Sequence, residues 1–181
     1  MAHLLQGECI ADGLIVVDRH IPVSDRHGKH VLSANPWVNP PGIGQPFHVK
    51  HMVFMDTETT GLAGGTGTLA FLLGLACIED DTLHLRQLFL TQFGGETALL
   101  RATSDWIGTR KHLVTFNGKS FEAPLMPTRY RLARLPFADG GETLAGLCPC
   151  GCTGGGRIGS LQLPSGNISP SSKVWKQSNG W

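Results

Sequence analysis

The sequence predicts an α/β fold, and three observations carry that reading. Between 51 and 91 three apolar runs are separated by turn signals, as in an antiparallel three-strand meander. From 96 to 108 the apolar residues fall at helical spacing. A short apolar run at 112–116 then leads into a second helical segment, giving the order β-β-β-α-β-α.

Residues 1–50 read as an N-terminal extension with one strand, Gly13–Asp18, and an irregular connector ending in Asn39-Pro-Pro-Gly-Ile-Gly-Gln-Pro46, whose Pro and Gly density breaks regular structure. The first meander strand is expected at 51–57, followed by a Gly-rich turn. The second is expected at about 68–78, and Asp80-Asp81 turns the chain into the third at 82–91. In the helix predicted over Glu96–Gly108, Leu99, Ala102 and Trp106 share one side while Arg101 and Asp105 face away. A strand follows at His112–Phe116. The second helix is expected from Lys119 to about Leu135, burying Leu125, Tyr130 and Leu132, with Pro124 and Pro127 making its first turn irregular. The main domain is thus read as 51–137. Residues 138–181 are rich in Gly, Ser, Pro and Cys without apolar periodicity and read as an irregular, disordered tail.

With 181 residues and 41% hydrophobic content the chain is long enough for one domain with a real core. A net charge of +1 supplies no global basic field, so contact with nucleic acid must come from a local patch. No apolar stretch is long enough to span a bilayer and the N-terminus carries no signal-like segment, so a cytoplasmic protein without membrane contact is expected. Five cysteines, three of them crowded at 148, 150 and 152, imply no disulfide framework.

The chemistry concentrates in Phe54-Met-Asp-Thr-Glu-Thr-Thr-Gly-Leu-Ala-Gly-Gly-Thr-Gly-Thr-Leu69. Asp56 and Glu58 sit two apart on a strand and therefore share a face. Two carboxylates side by side repel unless a divalent cation lies between them, which points to metal-dependent phosphoryl transfer. The plain alternative is a polar strand end running into a turn. A second element, Val114-Thr-Phe-Asn-Gly-Lys-Ser-Phe-Glu-Ala-Pro-Leu125, again runs from a strand to a helix start and brings Glu122.

Together these motifs resemble the DEDD-type 3'-5' exonucleases of the ribonuclease H-like superfamily, most closely its YprB-like branch, over about His51 to Pro136. The resemblance implies a ribonuclease H-like mixed sheet, the antiparallel meander plus parallel strands, flanked by helices and incomplete at its C-terminal part. It implies two Mg2+ or Mn2+ ions about 4 Å apart at the scissile phosphate. Carried over, Asp56, Glu58 and Glu122 are the metal ligands and catalytic carboxylates. Glu122 stands where the family has Asp, with a longer reach. Thr57, Gly61, Leu62, Asn117, Lys119 and Phe121 are the implied contacts to a substrate that is the single-stranded end of DNA or RNA, although Phe121 also suits a core position. The family's last helix, with a fourth Asp and a His or Tyr base, has no counterpart: Asp139 is the only Asp after Glu122, no His follows His112, and Tyr130 belongs to the preceding helix. The chain is therefore expected to be truncated or read out of frame beyond about Ala138. A catalytically inactive nucleic-acid-binding domain or a defective fragment is the alternative expectation.

Two further clusters stand apart. Asp-Arg-His occurs at 18–20 and 25–27, with His30 nearby, in spacings that fit no standard zinc motif and suit a solvated loop. Cys148-Pro-Cys-Gly-Cys152 is half of a thiolate site without a partner cluster. Gly61–Thr68 lacks the Gly-Lys-Ser/Thr ending of a phosphate loop and reads as a turn between strands.

Overall fold

A computed structural model describes residues 1–27, 30–31, 36–38, 46–61, 66–115, 122–137 and 142–145. In chain order the elements are α1 (Ala2–Leu5), β1 (Glu8–Ala11), β2 (Leu14–Pro22), β3 (Arg26–His27), β4 (His30–Val31), β5 (Trp37–Val38), β6 (Phe47–His48), β7 (Met52–Thr59), β8 (Ala70–Glu79), β9 (Thr82–Leu90), α2 (Glu96–Ile107), β10 (His112–Thr115), α3 (Glu122–Leu132) and β11 (Glu142–Ala145). Seven strands form one mixed sheet in the order β1-β2-β9-β8-β7-β10-β11. The meander β7-β8-β9 is antiparallel, and β10 runs parallel to both β7 and β11. The sheet and its flanking helices are those of a ribonuclease H-like α/β fold.

The meander follows from its turn chemistry. Asp80 and Asp81 take φ of 47° and 57°, the left-handed pair that a two-residue hairpin needs and that short polar side chains tolerate. Helix α2 carries Leu99, Leu100, Thr103 and Ile107 as its buried stripe. These residues meet Val53, Met55, Leu73, Leu75 and Leu88 of the sheet and Met126 and Tyr130 of α3 in one core. Both helices therefore cover the same sheet face, and each fully buried Leu there contributes about 1.5–3 kcal/mol. Helix α3 is described from Glu122 to Leu132 with Pro127 inside it, and the expected start at Lys119 lies outside the described residues. It ends where Arg134 turns left-handed at φ 56° and the Leu135 amide donates to the Tyr130 carbonyl.

Three features differ from the sequence reading. The N-terminal segment supplies two strands of the main sheet, with β2 running on through the polar Asp18-Arg19-His20 to Pro22 in register with β9. Its polar half is held by Arg86, which grips Asp18 with two hydrogen bonds of 2.7 Å, and by His20 packing edge-on against His84 at 4.7 Å. The first Asp-Arg-His is thus a strand rather than a solvated loop. Within the segment read as an irregular tail, Glu142–Ala145 pairs in parallel with β10. Residues 146–181, with the three-cysteine cluster, lie outside the described residues. Among those described, no helix is long and apolar enough to cross a membrane.

The opposite sheet face carries a second, smaller core of Phe47, Met52 and Val114, against which Val38, Val49 and Phe54 pack. The β5–β6 hairpin thus lies on this face, at the end of the sheet where β7 begins.

Candidate nuclease site

The site is built at the end of β7. Side chains alternate along a strand, so Val53, Met55 and Thr57 point toward the helices while Met52, Phe54, Asp56 and Glu58 point to the other face. Asp56 is exposed and Glu58 half-buried. A rise of about 3.3 Å per residue sets their Cα atoms roughly 6.5 Å apart. The antiparallel pairing places Gly74 of β8 directly beside Asp56 and Leu72 beside Glu58. Among the described residues, a Cβ at Gly74 would meet only the Asp56 main-chain oxygen, at 3.9 Å. Glycine weakens a strand interior, and its use there marks a place where another group approaches closely.

Beyond Glu58 the pairing slips by one residue, a bulge of the kind that re-aims side chains near active sites. The exit is then pinned. The Thr60 amide donates to the Leu69 carbonyl at 3.0 Å, the Leu69 amide donates back to Thr60 Oγ1 at 3.1 Å, and Thr59 Oγ1 donates to the Gly61 carbonyl at 3.0 Å. Farther along, Arg129 of α3 donates from Nη1 to the Thr66 carbonyl at 2.7 Å. On the other flank, Thr115 at the end of β10 is level with Met55, the residue before Asp56. The connection from β7 turns toward β8 and that from β10 turns toward β11. Such a switch point at the carboxyl ends of neighbouring strands is where open α/β sheets bind ligands.

The expected residues distribute as follows. Asp56 and Glu58 come together on one face. Thr57 lies between them but points to the helical face, where its Oγ1 is buried without a hydrogen-bond partner. Gly61 follows the bulge, and among the described residues nothing lies within 4 Å of where its side chain would begin. Glu122 is the first residue of α3, after the β10 connection, but its side chain lies outside the described residues, as do Leu62, Asn117, Lys119 and Phe121. Gly74 was not foreseen, although an isolated glycine inside an apolar strand was the available signal.

Among the described residues no group of three or more His, Cys, Asp or Glu side chains is placed to hold a metal. Mg2+, however, is commonly held by one or two carboxylates, with waters and substrate phosphates completing its octahedron. The pair on β7 fits that requirement.

Fold and site together define an RNase H-like α/β domain with an acidic pair on its central strand. The RNase H superfamily matches residues 53–144, from β7 to the end of β11, and the chain belongs to it. It is 37% identical over 122 residues to the uncharacterized protein YprB of Bacillus subtilis (strain 168), an alignment covering 62% of this chain and 29% of YprB. The chain thus corresponds to less than a third of that relative's length.

Proposed function

We propose that this chain is a metal-dependent 3'-5' exonuclease-like domain of the DEDD type, hydrolysing phosphodiester bonds at single-stranded ends of nucleic acid. The observation that carries the reading is the Asp56 and Glu58 pair on one face of β7, with Gly74 of β8 paired beside Asp56. Membership of the RNase H superfamily agrees with a nucleic-acid substrate. Asp56, Glu58 and Glu122 would hold two Mg2+ or Mn2+ ions. A divalent ion bound there supplies a Lewis acid for the phosphoryl oxygens and lowers the pKa of a bound water. The chain's own contribution is placement: a rigid strand fixes both carboxylates, the bulge after Glu58 sets the exit of the loop, and the missing side chain at 74 gives the terminal phosphate a way in. Thr57, Gly61, Leu62, Asn117, Lys119 and Phe121 are the proposed substrate contacts.

The test is incubation of 5'-labelled single-stranded DNA and RNA with the purified chain and Mn2+, beside Asp56→Asn. Stepwise shortening that disappears in the variant is the expected result. A folded protein that binds the strands without shortening them would replace this reading with that of an inactive binding domain.

A further inference from the structure

The proposed metal site is divided between two elements: Asp56 and Glu58 stand at the end of β7, and Glu122 at the described start of α3. Apolar packing sets how deep α3 sits, since Met126 and Tyr130 are fully buried in the core shared with α2 and the sheet. Such packing is non-directional, so the rotation of the helix and its slide along the sheet are left to directed bonds. The helix itself is a soft support at this end. Pro127 has no amide, so the main-chain bond back to residue 123 is missing.

Two polar side chains supply directed bonds from α3. Tyr130 donates to the Leu100 carbonyl of α2 at 2.7 Å. Arg129 reaches two partners at once: Nε and Nη2 donate to the two carboxylate oxygens of Glu96 at the start of α2, and Nη1 donates to the Thr66 carbonyl at 2.7 Å. The guanidinium is largely buried, where charge-assisted bonds are strong. A planar fork can serve a carboxylate and a carbonyl together, which the single ammonium of a lysine does not match. Three residues past Thr66, Leu69 exchanges two hydrogen bonds with Thr60. Strand β8 then pairs Ala70 with Thr59 and Leu72 with Glu58. Arg129 is thus joined to Glu58 by a short run of hydrogen-bonded chain on one side, and to Glu122 by two turns of helix, about 10 Å, on the other.

We propose that Arg129 is a positioning residue for the metal site: by holding Thr66 while braced on Glu96, it fixes the start of α3, with Glu122, relative to the end of β7, with Asp56 and Glu58. Arg129 touches neither metal nor substrate in this role. The proposal rests on the nuclease reading above and says how the two halves of that site are kept in register. Groups that orient metal ligands from outside the coordination sphere typically affect metal affinity 10- to 100-fold when lost.

The experiment uses the full chain as wild type, Arg129→Lys and Arg129→Met/Glu96→Leu. Exchanging a buried ion pair for apolar residues of similar volume commonly leaves stability unchanged or raised, so the double variant keeps α2 on α3 while Thr66 is untied. Mn2+ binding is read from the free-ion electron paramagnetic resonance signal, and kcat and KM from shortening of a 5'-labelled oligothymidylate. With the thermal midpoint kept, the double variant should bind Mn2+ about 10- to 100-fold more weakly and lose about 100-fold in kcat at little changed KM. Arg129→Lys should fall between it and wild type. Wild-type Mn2+ affinity and kcat in either folded variant overturns the proposal, leaving Arg129 a structural brace. A loss confined to KM overturns it too, since Arg129 would then be a substrate contact. Asp56→Asn separates the two claims: Mn2+ binding and shortening that need Asp56 but not Arg129 keep the nuclease reading and remove this one, whereas a wild-type chain that takes no Mn2+ removes both.

Discussion

Arg129 on α3 clamps Glu96 at the start of α2, each guanidinium edge nitrogen donating to one carboxylate oxygen. Both side chains are largely buried, at 11% and 18% exposure, and burial of Arg129 is outweighed by its bonds to Glu96, so its guanidinium holds its proton more firmly than usual. The same side chain bonds the Thr66 carbonyl, so one residue ties both helices to the chain leaving the candidate site. Arg129→Ala should cost about 2–3 kcal/mol, because it leaves Glu96 partly buried without a partner. Denaturant melts of Arg129→Ala, Glu96→Ala and the double variant would check this: the double variant should lose far less than the sum of the singles.

Tyr130 is the sole tyrosine, fully buried, with its hydroxyl donating to the Leu100 carbonyl at 2.7 Å and accepting from Ser104 at 2.9 Å. Burial pushes its ionisation above the ordinary 10. In the unfolded chain it ionises first, so the stability it brings is complete below pH 10 and is lost as pH rises through the higher folded value. An alkaline titration of tyrosinate absorbance should show one late transition coinciding with unfolding. Tyr130→Phe should lower stability by about 1–3 kcal/mol and abolish that signal.

Gly74→Val separates folding from chemistry. The new Cβ meets nothing closer than 3.9 Å, and valine suits a strand better than glycine. The thermal midpoint should hold or rise, while metal-dependent shortening of single strands falls by about 100-fold as the space beside Asp56 fills. A fully active Gly74→Val would show that this space is not used.

Gly95 permits no such replacement. A Cβ there would stand 2.8–2.9 Å from main-chain atoms of Asp12 and Gly13, which cannot yield as side chains do. Gly95→Ala should cost about 1–3 kcal/mol by pushing the β1–β2 turn off the start of α2, with no change in m-value in urea.

The meander, α2 and the pairing of Asp56 with Glu58 on one face were legible because each rests on local rules: apolar runs, turn residues, helical spacing and strand alternation. The far half of β2 was not, since Asp18, Arg19 and His20 look like surface loop until Arg86 and His84 stand opposite them. The four-residue β11 carries too little pattern to be seen before β10 offers it an edge. The site residues that follow the strand ends, Leu62 and Asn117 to Phe121, lie outside the described residues. Gly74 escaped notice because what it contributes is an absence of atoms, which gains meaning only beside Asp56.

The nine-residue pairing of β2 with β9 has a practical side. The superfamily match begins at residue 53, and a protein trimmed to that point would present β9 as a bare outer strand, with a row of unanswered amides and carbonyls and with Leu83, Leu85 and Phe89 along it. Long apolar edges of this kind recruit one another. Soluble material for any assay of this domain therefore has to begin ahead of Glu8, and precipitates from shorter versions would reflect a severed sheet rather than an unstable core.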